Sequence, residues 1–145
     1  MDYSFYKLPV LNFIFRTAGA IPIASGRDDP EMLARAYDRI SRYLDEGEVV
    51  CIFPEGGLTP DGEIKPFRPG IARIIRRNPV PVVPMALRGL WGSFFSRKGG
   101  TAMRGKLPRP LFYKIGLALG LPVPPADVSA AGLRERVAAL RGDWK

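Results

Sequence analysis

The sequence predicts an α/β fold: a mainly parallel β-sheet flanked by helices. Two continuous apolar runs, residues 49–53 and 80–87, are rich in β-branched side chains and bounded by Pro and Gly, the pattern of strands buried on both faces. Segments of helical periodicity alternate with them along the chain, which is the order that places helices over a parallel sheet. The 145 residues are enough for one domain with its own core. No linker divides them and no internal repeat is present, so residues 1–145 read as a single domain.

The elements follow in chain order. Residues 3–18 mix aromatic and aliphatic side chains, with Pro9 suited to the first turn of a helix that runs to about Thr17 and ends at Gly19. Residues 20–24 form a short apolar strand, with Pro22 marking an end or an edge. Asp29-Pro30-Glu31 is a helix start: an N-cap acid, Pro at the first position, and an acid in the first turn. Met32, Leu33, Ala36, Tyr37, Ile40, Tyr43 and Leu44 then share one helical face, and Gly47 closes the helix. After the strand at 49–53, Pro54-Glu55-Gly56-Gly57 breaks the run and Asp61-Gly62 marks a tight turn. A short helix is expected at 70–77, strands at 80–87 and 112–115, and a last helix at 133–140.

Charge is distributed unevenly. Residues 1–69 carry eight basic and eleven acidic side chains; residues 70–145 carry fourteen basic and three acidic. A half this basic suits an anionic partner, whether nucleic acid, anionic lipid or a phosphorylated ligand, and equally suits a solvated basic face. Histidine is absent, so no Ser–His–Asp triad, imidazole general base or histidine-containing metal site can be built within these residues. The single cysteine, Cys51, permits no disulfide within the chain and is expected as a small core residue in a reducing compartment. The longest apolar stretch, residues 8–24, is broken by Pro9, Asn12, Arg16 and Pro22, so neither a membrane-spanning helix nor a signal peptide is expected here.

Function is expected at the end of the strand at 49–53, because ligands in α/β sheets bind beyond the carboxyl ends of strands. There Glu55 stands beside Gly56 and Gly57, whose bare backbones let N–H groups approach an anion. A turn with a solvated Glu would show the same residues. Residues 90–98 (Leu90-Trp91-Gly92-Ser93-Phe94-Phe95-Ser96-Arg97-Lys98) combine aromatic side chains with cations, as a membrane-surface segment does. The competing reading has the aromatics in the core and the cations in a loop.

Four blocks in order resemble the glycerol-phosphate and lysophospholipid acyltransferase family, the 1-acylglycerol-3-phosphate acyltransferase type. Gly19-Ala20-Ile21-Pro22-Ile23 is similar to its second motif, and Phe53-Pro54-Glu55-Gly56 to its third. Lys65-Pro66-Phe67-Arg68-Pro69-Gly70 is similar to its basic, Gly-ended segment, and Val80-Pro81-Val82-Val83-Pro84-Met85 to its fourth motif. The resemblance covers about residues 1–125. It implies a glycerolipid acyltransferase-like fold, incomplete at the N-terminus, that transfers a fatty acyl group to a glycerol-phosphate or lysophospholipid hydroxyl. The donor would be an acyl-CoA or acyl-carrier-protein thioester, with no other cofactor and no metal. Glu55, Gly56 and Gly57 would then shape the acceptor phosphate pocket, with Lys65 and Arg68 as phosphate contacts. Trp91, Phe94, Phe95, Arg97 and Lys98 would meet an anionic membrane surface at the cytoplasmic face, peripherally and without a spanning helix.

Three departures qualify the match. The family's first motif, Asn-His followed four residues later by Asp, has no counterpart here, so its catalytic His and Asp are missing. The resemblance therefore implies a chain truncated at the N-terminus, with Met1 an internal methionine, that is inactive alone. The Arg that usually ends the second motif is replaced, with Ser25 at about that place and Arg27 close by. Gly57-Leu58-Thr59 stands where Thr-Arg-Ser is common, a variant that resembles acyltransferase domains fused to transporter or acyl-ligase modules. The alternatives are a non-catalytic module that binds anionic lipid and, with less support, a nucleic-acid-binding domain using Trp91 and Phe94 as stacking platforms. No nucleic-acid motif accompanies the charge, and no nucleic-acid partner is expected.

Overall fold

A computed structural model of the chain describes residues 19–21, 23, 29–93, 96–98 and 114–144. The helix expected from about Pro9 to Thr17 and the residues Arg27, Phe94 and Phe95 lie outside these. The chain divides into two compact units, Met1–Ile52 and Phe53–Lys145.

Unit one is described mainly by helix α1, Pro30–Asp45. Asp29, in extended conformation, accepts a hydrogen bond from the Met32 N–H at 2.8 Å, and Pro30 follows where a missing N–H costs nothing. Glu31 sits in the first turn and Arg42 in the last, each against the favourable end of the helix dipole. Ala36, Ile40 and Ser41 form the buried stripe, and Gly47, at φ +81°, turns the chain away. Ala20, Ile21 and Ile23 are not part of a strand. The run at 49–53 also corrects the sequence expectation. It forms no strand, Val49 is 95% and Phe53 73% exposed, and Cys51 is exposed rather than in the core. β-branched composition favours an extended chain but supplies no partner, and among the described residues no strand pairs with this one.

Unit two holds helix α2 (Gly70–Arg77), strands β1 (Met85–Arg88) and β2 (Gly116–Leu119), a 3-10 turn at Pro125–Asp127, and helix α3 (Ala130–Arg141). In α2, Ile71, Ile74 and Ile75 are buried while Arg73, Arg76 and Arg77 face outward. The ladder is antiparallel, Met85 opposite Leu119 and Leu87 opposite Leu117, and a bridge between Val82 and Val123 extends it. The mainly parallel order expected from the alternation of elements is thus not the pairing found among the described residues. β1 is shorter than the apolar run at 80–87 because Pro81 and Pro84 lack the N–H a ladder needs. Pro84 still accepts from the Gly120 N–H at 2.9 Å.

The second strand begins at Gly116; of the run expected as a strand at 112–115, Lys114 and Ile115 are not in one and the other two residues lie outside the described residues. Its sequence alternates small and large: Gly116, Ala118 and Gly120 on one face, Leu117, Leu119 and Leu121 on the other. The small face allows close packing. A Cβ on Gly116 would come within 2.8 Å of the Trp144 ring, and one on Gly120 within 2.9 Å of Pro84 and 3.1 Å of Leu140. Helix α3, capped by Ser129 Oγ accepting from the Gly132 N–H at 3.1 Å, packs on both strands, with Leu133, Ala86 and Val123 buried. The Arg88 guanidinium is bonded to the Leu140 carbonyl at the helix end. Val83, Met85, Leu87, Ile115, Leu117, Leu119 and Leu121 are all exposed, so no element of unit two among the described residues covers this apolar face of the sheet.

Two outcomes test this description. Asp29→Ala is expected to destabilise unit one by about 1 kcal/mol in urea unfolding followed by circular dichroism. Leu87→Thr with Leu117→Thr is expected to lower the binding of an apolar fluorescent dye while changing stability by less than about 1 kcal/mol.

Candidate functional site

Residues 53–69 form a closed loop leading into α2. Its base is held by the backbone: the Arg68 N–H donates to the Pro54 carbonyl at 2.9 Å, and the Gly56 N–H to Phe53 at 3.2 Å. One side chain crosses the loop. Glu55 Oε2 accepts from the Lys65 backbone N–H at 2.8 Å. A charged acceptor makes this one of the stronger bonds of the segment. The Lys65 ammonium lies on the Leu58 carbonyl at 2.9 Å, closing the inner ring.

Gly56, at φ +67°, sits under Arg68; a Cβ there would come within 2.8 Å of the guanidinium carbon. Only a residue without a side chain allows both the left-handed turn and this approach. No hydrogen bond joins the Arg68 guanidinium to a described residue, and the side chain is exposed. Helix α2 starts directly after it at Gly70, and its N-cap, Pro69, provides no side-chain acceptor for the first-turn N–H groups.

The tip of the loop is a polar turn. Thr59 Oγ1 donates to Asp61 Oδ1 at 2.6 Å, and the Glu63 N–H donates to the same oxygen at 3.0 Å. Gly62, at φ +84°, lies against the Trp91 indole, 2.7 Å from where its Cβ would stand. Two arginines of α3 also reach the tip. Arg134 donates to the Ile64 carbonyl through Nε at 3.3 Å and Nη2 at 3.0 Å. Arg141 donates to the Gly62 carbonyl at 3.0 Å and pairs with Glu63 at 3.1 Å.

The structure therefore brings together Glu55, Gly56, Gly57, Lys65 and Arg68, the residues the sequence singled out in this segment. It also adds Trp91, Arg134 and Arg141, which sequence reading did not connect to the loop; contacts spanning 70 and 79 residues leave no local signal. Trp91 is half-buried with its ring on Gly62, so that face of the indole is not available to a bilayer. Arg97 and Lys98 are exposed, after a turn in which Ser96 Oγ accepts from Gly92 and donates to Ser93. In unit one, Gly19 is an exposed turn at φ +65°. Ile21 lines a concavity of about 320 Å³ with Asp29, Glu31, Met32, Arg35, Ala36 and Arg39. Among the described residues no cluster of three or more carboxylate or thiol side chains could hold a metal ion, and no helix is long and apolar enough to cross a membrane.

The loop thus combines an acidic clasp, a bare Gly and an exposed Arg ahead of a helix without a side-chain cap. The Acyltransferase family model matches residues 1–88, and the chain belongs to that family. The 1-acyl-sn-glycerol-3-phosphate acyltransferase BAT2, chloroplastic, of Brassica napus is 32% identical over 84 residues, 58% of this chain and 24% of that protein. A probable 1-acyl-sn-glycerol-3-phosphate acyltransferase of Mycoplasma pneumoniae is 25% identical over 101 residues, 70% of this chain and 37% of that protein. In fold, the chain is similar to the crystal structure of the 1-acyl-sn-glycerophosphate (LPA) acyltransferase PlsC from Thermotoga maritima. The TM-score is 0.64 at 21% identity, over 95% of this chain and 52% of that one. The glycerolipid acyltransferase-like α/β fold expected from the sequence is thereby established, and the chain spans about a quarter to a third of the length of these curated relatives.

The clasp can be separated from the charge it uses. Glu55→Ala is expected to cost about 1–2 kcal/mol in thermal or urea unfolding of unit two. Glu55→Gln, which keeps a carbonyl acceptor for the Lys65 N–H, is expected to recover most of it.

Proposed function

We propose that the chain is the acceptor-binding part of a glycerolipid acyltransferase of phospholipid biosynthesis or remodelling, and that its two units make one domain. The family match runs through the boundary between the units, from residue 1 to 88, which supports one domain. The acceptor is a glycerol phosphate or lysophospholipid, as in the names of the relatives, and the donor is an acyl-CoA or acyl-carrier-protein thioester. No other cofactor takes part.

The observation that carries this reading is the placement of Arg68. The Pro54–Arg68 and Glu55–Lys65 bonds hold its backbone, while its guanidinium remains exposed over Gly56 at the entry to α2. A planar guanidinium takes a phosphate through two parallel hydrogen bonds, and the N–H groups of an uncapped helix start favour the same charge. Gly57 leaves open backbone on the same turn, and Lys65 has ammonium protons beyond the one given to Leu58. Glu55 serves the site by shaping it, since its carboxylate is engaged by the loop backbone.

Transfer itself requires a base to take the proton of the acceptor hydroxyl as it attacks the thioester carbonyl. In the family that base is a His, and these 145 residues contain none. Loss of a general base costs about 10²–10⁴ in rate. The protein works peripherally at the cytoplasmic face of a membrane, where exposed Arg97 and Lys98 favour anionic lipid. Fusion to a transporter or acyl-ligase module fits the Gly57-Leu58-Thr59 variant. A non-catalytic role on anionic lipid is the second reading, favoured by the open apolar sheet face.

Calorimetric titration with sn-glycerol 3-phosphate is expected to show binding that Arg68→Ala weakens about 10–100-fold, the worth of a charge-assisted pair. No binding by the unaltered chain would remove the acceptor reading. The purified chain, given acyl-CoA and lysophosphatidic acid, is expected to show no measurable transfer.

A further inference from the structure

Within unit two, the loop at 53–69 is closed on itself by Glu55 and Lys65, but those bonds do not fix it to the sheet. That connection comes from helix α3, which packs on β1 and β2 and lies wholly beyond the family-matched residues. Arg134 gives two N–H groups to the single Ile64 carbonyl. Arg141, whose side chain is only 16% exposed, holds both the Gly62 carbonyl and the Glu63 carboxylate. The Trp91 ring closes on Gly62. These contacts converge on residues 62–64, immediately before Lys65 and four residues before Arg68.

We infer that Arg134 and Arg141 are positioning residues for the acceptor loop: a latch that docks its tip on the sheet-bound helix, so that Lys65 and Arg68 are presented in one geometry. This rests on the reading of the loop as the acceptor site. The physical reason is entropic. Ordering a loop backbone costs conformational entropy, and a loop of this length left undocked would meet that cost on ligand binding. The latch meets it on folding. Arginine suits the task because its rigid fork serves two acceptors, or one acceptor twice, from a fixed position. Neither arginine touches the acceptor in this scheme; they act through the loop.

The test combines amide hydrogen exchange with titration of sn-glycerol 3-phosphate, using the full chain. In Arg134→Ala with Arg141→Ala, exchange at residues 62–65 is expected to accelerate at least tenfold and affinity to fall about tenfold. Ile40→Val, which weakens the core of unit one, is expected to leave both unchanged. Arg134→Lys with Arg141→Lys keeps the charge but loses the fork, and is expected to recover affinity only in part. Unchanged exchange at 62–65 in the Ala pair overturns the latch. Faster exchange with unchanged affinity overturns its role in positioning, and full recovery by the Lys pair while exchange stays fast reduces the effect to net charge. If the Ala pair fails to fold, Arg134→Ala alone carries the same comparison, because Arg134 is exposed. If the unaltered chain does not bind glycerol phosphate, the acceptor reading fails and exchange alone decides the latch.

Discussion

A carboxylate that accepts a backbone N–H ten residues away governs the candidate site. Glu55 grips Lys65 at 2.8 Å, and with the Pro54–Arg68 backbone bond it turns an irregular segment rich in Gly and Pro into a closed loop. Such a segment has little propensity of its own, so its shape depends on few bonds, each of which matters more than one bond in a long ladder. The negative charge at the centre has a second consequence. It is occupied by backbone, which leaves the exposed Arg68 guanidinium as the chemically open feature of the loop.

The sheet shows a division of labour between its faces. Gly116, Ala118 and Gly120 bring α3 and Trp144 close, and this helix supplies Arg134 and Arg141 to the loop. The opposite face displays leucine and methionine side chains to solvent. Soluble domains rarely leave so continuous an apolar row open. The exposed Arg97–Lys98 pair adds positive charge to the surface of the same unit.

Much of the helical structure was legible in the chain itself. Asp29-Pro30-Glu31 and the spacing from Met32 to Leu44 place α1 within a residue of its observed ends, because caps and periodicity are local. Helix α2 has the bounds that its sequence predicts, whereas α3 starts at Ala130 behind the Ser129 cap, ahead of its predicted start at Leu133, because Ala130 and Ala131 carry no periodic signal. Strands fared worse. The β-branched run at 49–53 is no strand, whereas the glycine-bearing Gly116–Leu119 is one. Strand identity is decided by a neighbour across the ladder and not by side-chain composition.

By itself, then, the sequence determined the family, through four ordered motifs, together with the absence of an imidazole base and the cluster of Glu55, Gly56, Gly57, Lys65 and Arg68 within fourteen residues. Those properties reside in residue identity and short spacing, which the linear chain carries in full. Tertiary structure alone decided that Glu55 faces the Lys65 backbone, that the Trp91 ring lies on Gly62, that β1 pairs antiparallel with β2, and that arginines 70 and 78 residues away hold the loop tip. Each of these is a contact between segments distant in sequence. The two arginine contacts arise from the packing of α3 on the sheet, a geometry that no local pattern of residues specifies.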